Sequence, residues 1–222
     1  MIEYVENKEI IARRIARFFA SGDVVNLGIG LPTMVGNFVP EGVTVVLQSE
    51  NGMMGLGPAP EKGKEDKDLT NAGGMPVTVL DGGCFFDSAV SFGIIRGGHV
   101  DFTVLGVLEV DQEGNLANYK IPGKMVPGMG GAMDLTVGAK TVFAATQHFD
   151  AKGNSKLLRR CKLPLTAAAQ VDYVVTDVGL FQVKDGAFVL KEYFKPYTVD
   201  YILETTDADI VVDKDCKEVD LA

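Results

Sequence analysis

Short runs of consecutive apolar residues punctuate the chain: "VVNLGIG", "VTVVLQS", "PVTVL", "DFTVLGVLEV", "KTVFAATQHF", "YVVTDVGLFQV" and "GAFVLKEY". Most are apolar at successive positions rather than at every second one, the pattern of strands buried on both faces of a covered sheet. Between them the apolar positions recur at helical spacing. In "NKEIIARRIARFFASGD", Ile11, Ile15, Phe18 and Phe19 fall on one side and Arg13, Arg14 and Arg17 largely on another, predicting an amphipathic helix ended by Gly22. "TMVGNFV" after Pro32, "DSAVSFGIIRGG" after Asp87 and "TVDYILETT" predict further helices. Strands interleaved with helices indicate an open α/β domain with a mainly parallel sheet, whose ligands sit outside the carboxyl ends of the strands. Two hydrophilic stretches break the pattern: "APEKGKEDKD", read as an exposed loop, and the mixed-charge tail "DADIVVDKDCKEVD". With no repeat or linker in evidence, the 222 residues are expected to form one domain, 1–222.

Composition narrows the function classes. A hydrophobic content of 46% with 23% charged residues describes a globular chain, not a fibrous or disordered one, and no apolar stretch reaches membrane-spanning length without a charged or polar break. "MIEYVENKEI" carries early acids and no basic region before an apolar core, so a cytoplasmic location is expected rather than secretion. A net charge of -9 argues against nucleic acid or an anionic membrane as the main partner, since both reward a basic surface. Cys84, Cys161 and Cys216, odd in number and widely spaced, suit reduced thiols better than a disulfide framework or a zinc site.

Glycine marks four segments beside predicted strands: "NLGIGLP", "SENGMMGLGP", "IRGGHVD" and "IPGKMVPGMGGAMD". Each alone reads as a tight turn, and each also lets backbone N–H groups approach a ligand without a Cβ in the way. "GIGLP" is not the dinucleotide fingerprint, and no phosphate-binding loop of the G-x-x-x-x-G-K-[ST] kind occurs. His99 and His148 lie far apart without metal-ligand spacing, so no metal site is expected; His99 reads as a hydrogen-bonded structural imidazole. Ser49 is not in a G-x-S-x-G elbow. That leaves Glu50, a carboxylate between a strand and a glycine-rich stretch. Such a group can attack an acyl thioester when nearby N–H groups hold the oxyanion that forms. The product, a mixed anhydride, stays activated, so a thiolate can return and the acyl group can change carrier without hydrolysis.

"LQSENG" followed by "GLGP" resembles the active-site signature of the B (beta) subunit of family I CoA-transferases, the 3-oxoacid and acetate-acetoacetate type. The resemblance continues through "NLGIGLPT", "NAGG", "FFDSAVSFGIIRGGHVD", "LGVLEVDQEGNLANYKIPGKMVPGMGGAMDL" and "RRCKLPLT", from about Ile10 to about Phe181, and weakens in the acidic tail. One departure is Tyr119, where relatives often carry Trp. The resemblance implies an open three-layer α/β domain. It also implies that Glu50 is the nucleophile, which becomes an acyl-glutamyl anhydride and then a glutamyl-CoA thioester, and that Gly131 is an oxyanion-hole donor through its backbone N–H. By the same resemblance, Gly28, Gly30 and Asn51 are pocket-lining positions. Asn118 and Lys124 are candidate polar contacts to CoA or the acyl carbonyl, and Arg96 either holds its turn or reaches a carboxylate. Coenzyme A enters as a substrate, with no permanently bound cofactor.

Family enzymes contain a second, related half that carries a "GGFG"-like segment, and none occurs in this chain. The implied partner is an A (alpha) subunit in an α2β2 or larger assembly moving CoA between short-chain carboxylates such as acetate, acetoacetate or butyrate. An acyl-CoA hydrolase on the same scaffold and a non-catalytic CoA-binding subunit are the alternatives. Methionines 53, 54, 125, 129 and 133 crowd the glycine segments, either as gap-fillers of the core or as walls of an acyl pocket.

Overall fold

The first turns of the chain already show how the layers arise. The computed structural model describes residues 7–123, 126 and 128–221. Helix α1, Asn7–Ala16, buries Ile11, Ala12, Ile15 and Ala16, the stripe that its sequence spacing predicts. It ends earlier than Gly22: Phe18 and Phe19 fold back in a turn over the sheet, and Gly22 supplies a later left-handed bend with φ +95°.

Strands β1 (Val24–Leu27), β2 (Val46–Ser49), β3 (Met53–Leu56), β4 (Val79–Phe85) and β5 (Phe102–Gly106) follow, with a 3-10 helix over Leu31–Phe38 and helix α2 over Ser88–Arg96 between them. Next come β6 (Glu109–Asp111), β7 (Leu116–Ala117), helix α3 (Ala132–Gly138), β8 (Thr141–Ala145) and β9 (Leu157–Leu158). The chain then adds β10 (Tyr173–Val175), β11 (Gly179–Lys184), β12 (Ala187–Phe194), helix α4 (Val199–Thr205) and β13 (Ile210–Val219). A ten-stranded sheet has the order β13-β12-β11-β10-β8-β5-β1-β2-β3-β4. A small sheet, β7-β6-β9, packs beside it.

The middle of the large sheet, β2-β1-β5-β8-β10, is parallel, as the consecutive apolar runs predict. Its flanks are mixed: the connections of two or three residues after β2, β10 and β11 can join only antiparallel neighbours, and β4 pairs antiparallel with β3 across a longer connection. The β2–β3, β3–β4, β10–β11 and β11–β12 pairs are antiparallel, and Asp185 and Gly186, both at positive φ, close the last as a two-residue hairpin. "YVVTDVGLFQV" is therefore two strands, reversed where Thr176 N–H donates to Gly179 O at 2.9 Å. The acidic tail is not an interruption. It forms β13, a parallel edge strand on β12 whose exposed positions are Val211, Val212, Lys214, Asp215, Lys217 and Glu218.

Alternation along the central strands feeds two cores. Val25, Val104, Phe143 and Val175 point to the face covered by α1 and the 3-10 helix. Leu105, Val142, Ala144 and Val174 point to the opposite face, under α2, α3 and α4. This is the three-layer α/β arrangement expected. The ends of α1 are tied to distant parts of the chain: Asn7 Nδ2 donates to Asp177 Oδ2 at 2.9 Å, and Arg14 pairs with the nearly buried Glu192.

Candidate active site

Glu50 is the residue immediately after β2, at the carboxyl end of the parallel core. The chain reverses there through a tight turn, and β3 returns alongside with Ser49 opposite Met53. Gly52 makes the reversal possible. Its φ is +119°, and a Cβ there would sit 2.1 Å from Phe86 O, so no other residue fits without moving the backbone. Phe86 N–H donates to Gly52 O at 3.0 Å, which docks the turn on the segment leading into α2.

Strand parity decides which way the carboxylate faces. Leu47 packs with the α1 core, so Gln48 lies on the face of α2 and α3, and Glu50 follows it. Gly131, just before α3, stands against it: a Cβ on Gly131 would lie 3.2 Å from Glu50 Cγ and 3.4 Å from the Phe92 ring. The Gly131 carbonyl accepts from Leu135 N–H at 2.9 Å, while its N–H has no protein acceptor among the described residues. The structure thus brings together Glu50 and Gly131, two residues separated by most of the chain's middle.

A third residue joins them from outside the four glycine-bearing segments' glycines. Asn26, in the middle of β1 and 1% exposed, donates from Nδ2 to Glu50 Oε2 at 3.2 Å and to Gln48 Oε1 at 2.7 Å. Gln48 Nε2 in turn donates to Ser91 Oγ on α2 at 3.1 Å. The signal for it is present in "VVNL", where one amide interrupts an apolar strand run.

An open cavity of about 570 Å³ is lined by Glu50 together with Leu27, Gly28, Leu47, Ala72 and Met75 among others. Gly28 is packed close, its N–H donating to Val104 O at 2.9 Å and its α-carbon leaving only 3.0 Å for a Cβ against the same oxygen. Gly30 does not line the cavity; with φ +86° and open space around it, it serves the bend into the 3-10 helix. Asn51 is also used structurally. Its side chain holds the loop that forms the cavity wall, Nδ2 donating to Thr70 O at 2.8 Å, next to Ala72 N–H donating to Ser49 Oγ at 3.0 Å.

Asn118 lies instead in a smaller cavity of about 300 Å³, with Lys8 and Lys156 on its wall and Ile29 shared between the two. Its amide donates to Gly106 O at 3.3 Å and accepts from Thr166 Oγ1 at 2.6 Å, so both ends are engaged within the fold. Lys124 lies outside the described residues, as does Met125. Of the other methionines, Met53 is buried in a small core with Leu56 and Val77, and the one that lines the main cavity is Met75.

The remaining ionisable candidates are occupied elsewhere. Arg96 pairs with Asp134 Oδ1 at 2.7 Å, which joins α2 to α3 and holds the guanidinium pKa above its ordinary value. His99 is an exposed side chain after α2 rather than a hydrogen-bonded interior imidazole. That description fits His148, whose ring nitrogens lie 3.1 Å from Thr176 Oγ1 and 2.9 Å from Thr206 Oγ1, and whose burial lowers its pKa to about 4. Burial, reinforced by Asp111 and Glu109, pushes the Cys161 thiol well above the usual range, which makes it an inert thiol. Among the described residues, no three His, Cys, Asp or Glu side chains gather as metal ligands would, and no helix is long and apolar enough to cross a membrane.

The sequence profile of the family described as coenzyme A transferase matches residues 8–205. The chain is 53% identical to the beta subunit of the acetate CoA-transferase of Haemophilus influenzae, over 97% of this chain and 96% of that one. It is 46% identical to the B subunit of the succinyl-CoA:3-ketoacid coenzyme A transferase of Helicobacter pylori, over 92% of this chain and 99% of that one. Among solved structures, the apoenzyme of an acyl-CoA transferase from Escherichia coli O157:H7 superposes with a TM-score of 0.76 at 21% identity. That match takes in 97% of this chain and 44% of the longer one, so the present chain spans less than half of that protein's length.

Proposed function

Because the chain belongs to the coenzyme A transferase family, we propose that it is the B (beta) subunit of an enzyme that moves CoA between short-chain acyl-CoA and free carboxylates, with Glu50 as its nucleophile. The observation that carries this reading is the placement of Glu50: a carboxylate at the carboxyl end of β2, on the wall of a cavity, with the main chain of Gly131 against its side chain.

The chemistry needs no proton transfer. A Glu50 oxygen attacks the thioester carbonyl carbon, the resulting oxyanion is held by backbone N–H donors with Gly131 the candidate, and the carbon–sulfur bond breaks to release CoA thiolate. The thiolate attacks the Glu50 carbonyl carbon of the anhydride and expels the first carboxylate, leaving CoA on Glu50 as a thioester. An acceptor carboxylate then attacks that thioester, and the same steps in reverse return CoA to the new acyl group. A carboxylate suits this exchange because its acyl derivative is an anhydride as activated as the substrate, whereas an ester on serine would favour hydrolysis.

Acetate and 3-oxoacids are the proposed substrate class, supported by the identities to the two relatives above. An A (alpha) subunit is the proposed partner, in an α2β2 or larger assembly; those relatives are themselves named as a beta or B subunit, which supports a partner subunit. Coenzyme A is substrate in this scheme, not a resident cofactor.

The test is to incubate the two-subunit complex with acetoacetyl-CoA and then borohydride, and to map the modified peptide. Reduction of the thioester should inactivate the enzyme and change the mass of the peptide holding Glu50. A Glu50→Ala complex of full activity, or modification elsewhere, overturns the assignment. CoA release at the same rate with and without acetate would identify a hydrolase instead.

A further inference from the structure

The smaller cavity, of about 300 Å³, has two lysines on its wall, Lys8 and Lys156, and no acidic side chain, in a chain with 30 acidic residues against 21 basic ones. Unpaired lysines are ordinary at a surface, where water solvates them. Lys156 is half-buried. Its backbone is fixed, N–H donating to His148 O at 2.9 Å and C=O accepting from Val110 N–H at 3.0 Å. Its ammonium gives one hydrogen to the buried Thr146 Oγ1 at 3.0 Å, and the other two have no acceptor among the described residues. The carboxylates whose charge it feels are engaged elsewhere: Asp150 accepts from Lys152 and Asn154, and Asp177 from His148 N–H and Asn7 Nδ2. Burial lowers the Lys156 pKa, with those two charges acting in the opposite sense. An ammonium held in this way carries a desolvation cost that an anion in the cavity would offset.

We propose that this cavity binds the free carboxylate substrate through Lys156, with Lys8 adding to the positive field, and so holds the acceptor before it attacks the thioester on Glu50. The inference rests on the catalytic cycle proposed above. The cavity is built at the carboxyl ends of β1, β5 and β8, through Ile29, Gly106 and Ala145, and Ile29 is common to it and to the cavity that Glu50 lines. Glu50 follows β2, two strands from β5 in the order β8-β5-β1-β2. At about 4.8 Å per strand, that separation is about 10 Å. A carboxylate there is beyond the roughly 3–3.5 Å at which it could react, so the cavity is a waiting position.

Size and lining select the kind of anion. Leu31, Val107 and Leu108 offer apolar wall to a short carbon chain. Asn118 adds a donor, since its Nδ2 spends one hydrogen on Gly106 O at 3.3 Å and keeps the other. The volume takes an acid of a few carbons and excludes a nucleotide. A phosphate carries more charge and is typically met by arginine or by the N–H groups of a helix end, and no arginine lines this cavity.

The cycle gives such a position a use. In its free form Glu50 is an anion that repels a second carboxylate from its own side chain. Once it carries CoA as a thioester it is neutral, and the acceptor can approach. A cation one short move away keeps an acceptor at hand for that moment without placing two anions side by side. The same site receives the first carboxylate as it departs, so donor-derived and acceptor carboxylates compete for it.

In the two-subunit complex, Lys156→Met keeps the length of the side chain and removes its charge. The KM for acetate should rise by about tenfold, the usual loss for a charge-assisted hydrogen bond that is partly open to water, while the KM for acetoacetyl-CoA stays at the parent value. Lys156→Arg should restore most of the acetate affinity, and Lys8→Met should raise the KM for acetate by a smaller factor. Saturation-transfer NMR of acetate reads binding without turnover: a Glu50→Ala complex should give a signal, and the Glu50→Ala, Lys156→Met complex should lose it. Should Lys156→Met fail to fold, Lys8→Met and the NMR signal of the Glu50→Ala complex still decide. An unchanged KM for acetate, or a persistent NMR signal, overturns the proposal. A raised KM for acetoacetyl-CoA with that for acetate unchanged would assign the lysine to a CoA phosphate, and a folded Lys156→Met chain that no longer joins its partner would assign the cavity to the subunit interface; each also overturns it. Failure of the underlying cycle looks different: the borohydride label would then be absent from Glu50 in the parent itself.

Discussion

Replacing Gly131 by alanine probes the contact that brings the two halves of the candidate site together. The backbone there has φ of −81°, which alanine adopts freely, so the substitution does not strain the chain. Its new methyl would lie 3.2 Å from Glu50 Cγ, against the roughly 3.5–4.0 Å of a relaxed carbon–carbon contact. Something must give by a few tenths of an ångström. The Phe92 ring closes the other side at 3.4 Å, so the carboxylate side chain is the part expected to move.

Misplacing a reacting group by 1 Å can cost about 100-fold, and a shift of about half that size should cost roughly tenfold in kcat/KM for CoA transfer. Stability should hardly change: removing glycine's freedom in the unfolded chain favours the variant by about 0.4–1 kcal/mol. Alanine is a poorer helix cap than glycine by a similar amount, which offsets the gain. Chemical denaturation and steady-state kinetics on the same preparation separate the two effects. A variant with parent kinetics would refute the claim that Gly131 abuts the reacting group, and a loss of more than about 2 kcal/mol in stability would refute the claim that the contact can be relieved by a side chain alone.

Two other substitutions test the scaffold around the site. Gly52→Ala should destabilise by at least about 3 kcal/mol, because positive φ and a carbonyl oxygen 2.1 Å away must both be relieved, whereas Gly30→Ala, with positive φ in open space, should cost only about 1 kcal/mol; denaturant midpoints compare them. His148 makes stability depend on pH. Its folded pKa of about 4 lies below the ordinary value near 6.5, so between those pH values the unfolded chain binds a proton that the folded chain refuses. The contribution is complete above about pH 6.5 and declines as the pH falls toward 4, by about 3 kcal/mol in all. The non-titrating His148→Gln variant should flatten that part of the stability curve, and an unchanged slope would show that burial of the imidazole is not its cause.

The parts of the fold that were legible in sequence are those where a single physical signal acts locally. Apolar runs marked the parallel core, and Asp87 ahead of "SAVSFGIIR" marked the start of α2, where its carboxylate accepts from Val90 N–H at 2.9 Å. Glu50 was legible because it ends such a run. What escaped was set by neighbours distant in sequence. β13 reads as polar because an edge strand keeps one side in water, and nothing local reveals that β12 lies beside it. "GMMGLGP" reads as a turn because glycine usually means one, yet Met53–Leu56 is a strand paired with β2 and β4. Asn51 and Asn118 stand as ligand contacts only through the family resemblance, and both prove to be engaged by groups inside the fold. Asn26 was hidden because its partner Glu50 is met only once β1 and β2 pair in register.

The tie between α1 and the far end of the chain bears on how the molecule is made. Arg14 and Glu192 are 178 positions apart, so at about 5–20 residues per second the ribosome takes roughly 10–35 seconds to supply the partner of a helix it has already released. Throughout that interval Ile11 and Ile15 have only part of their final surroundings, with Phe194 still to come. The first helix to emerge is thus among the last to be fully seated, and the nascent chain must keep an apolar stripe from aggregating until its own late strands arrive.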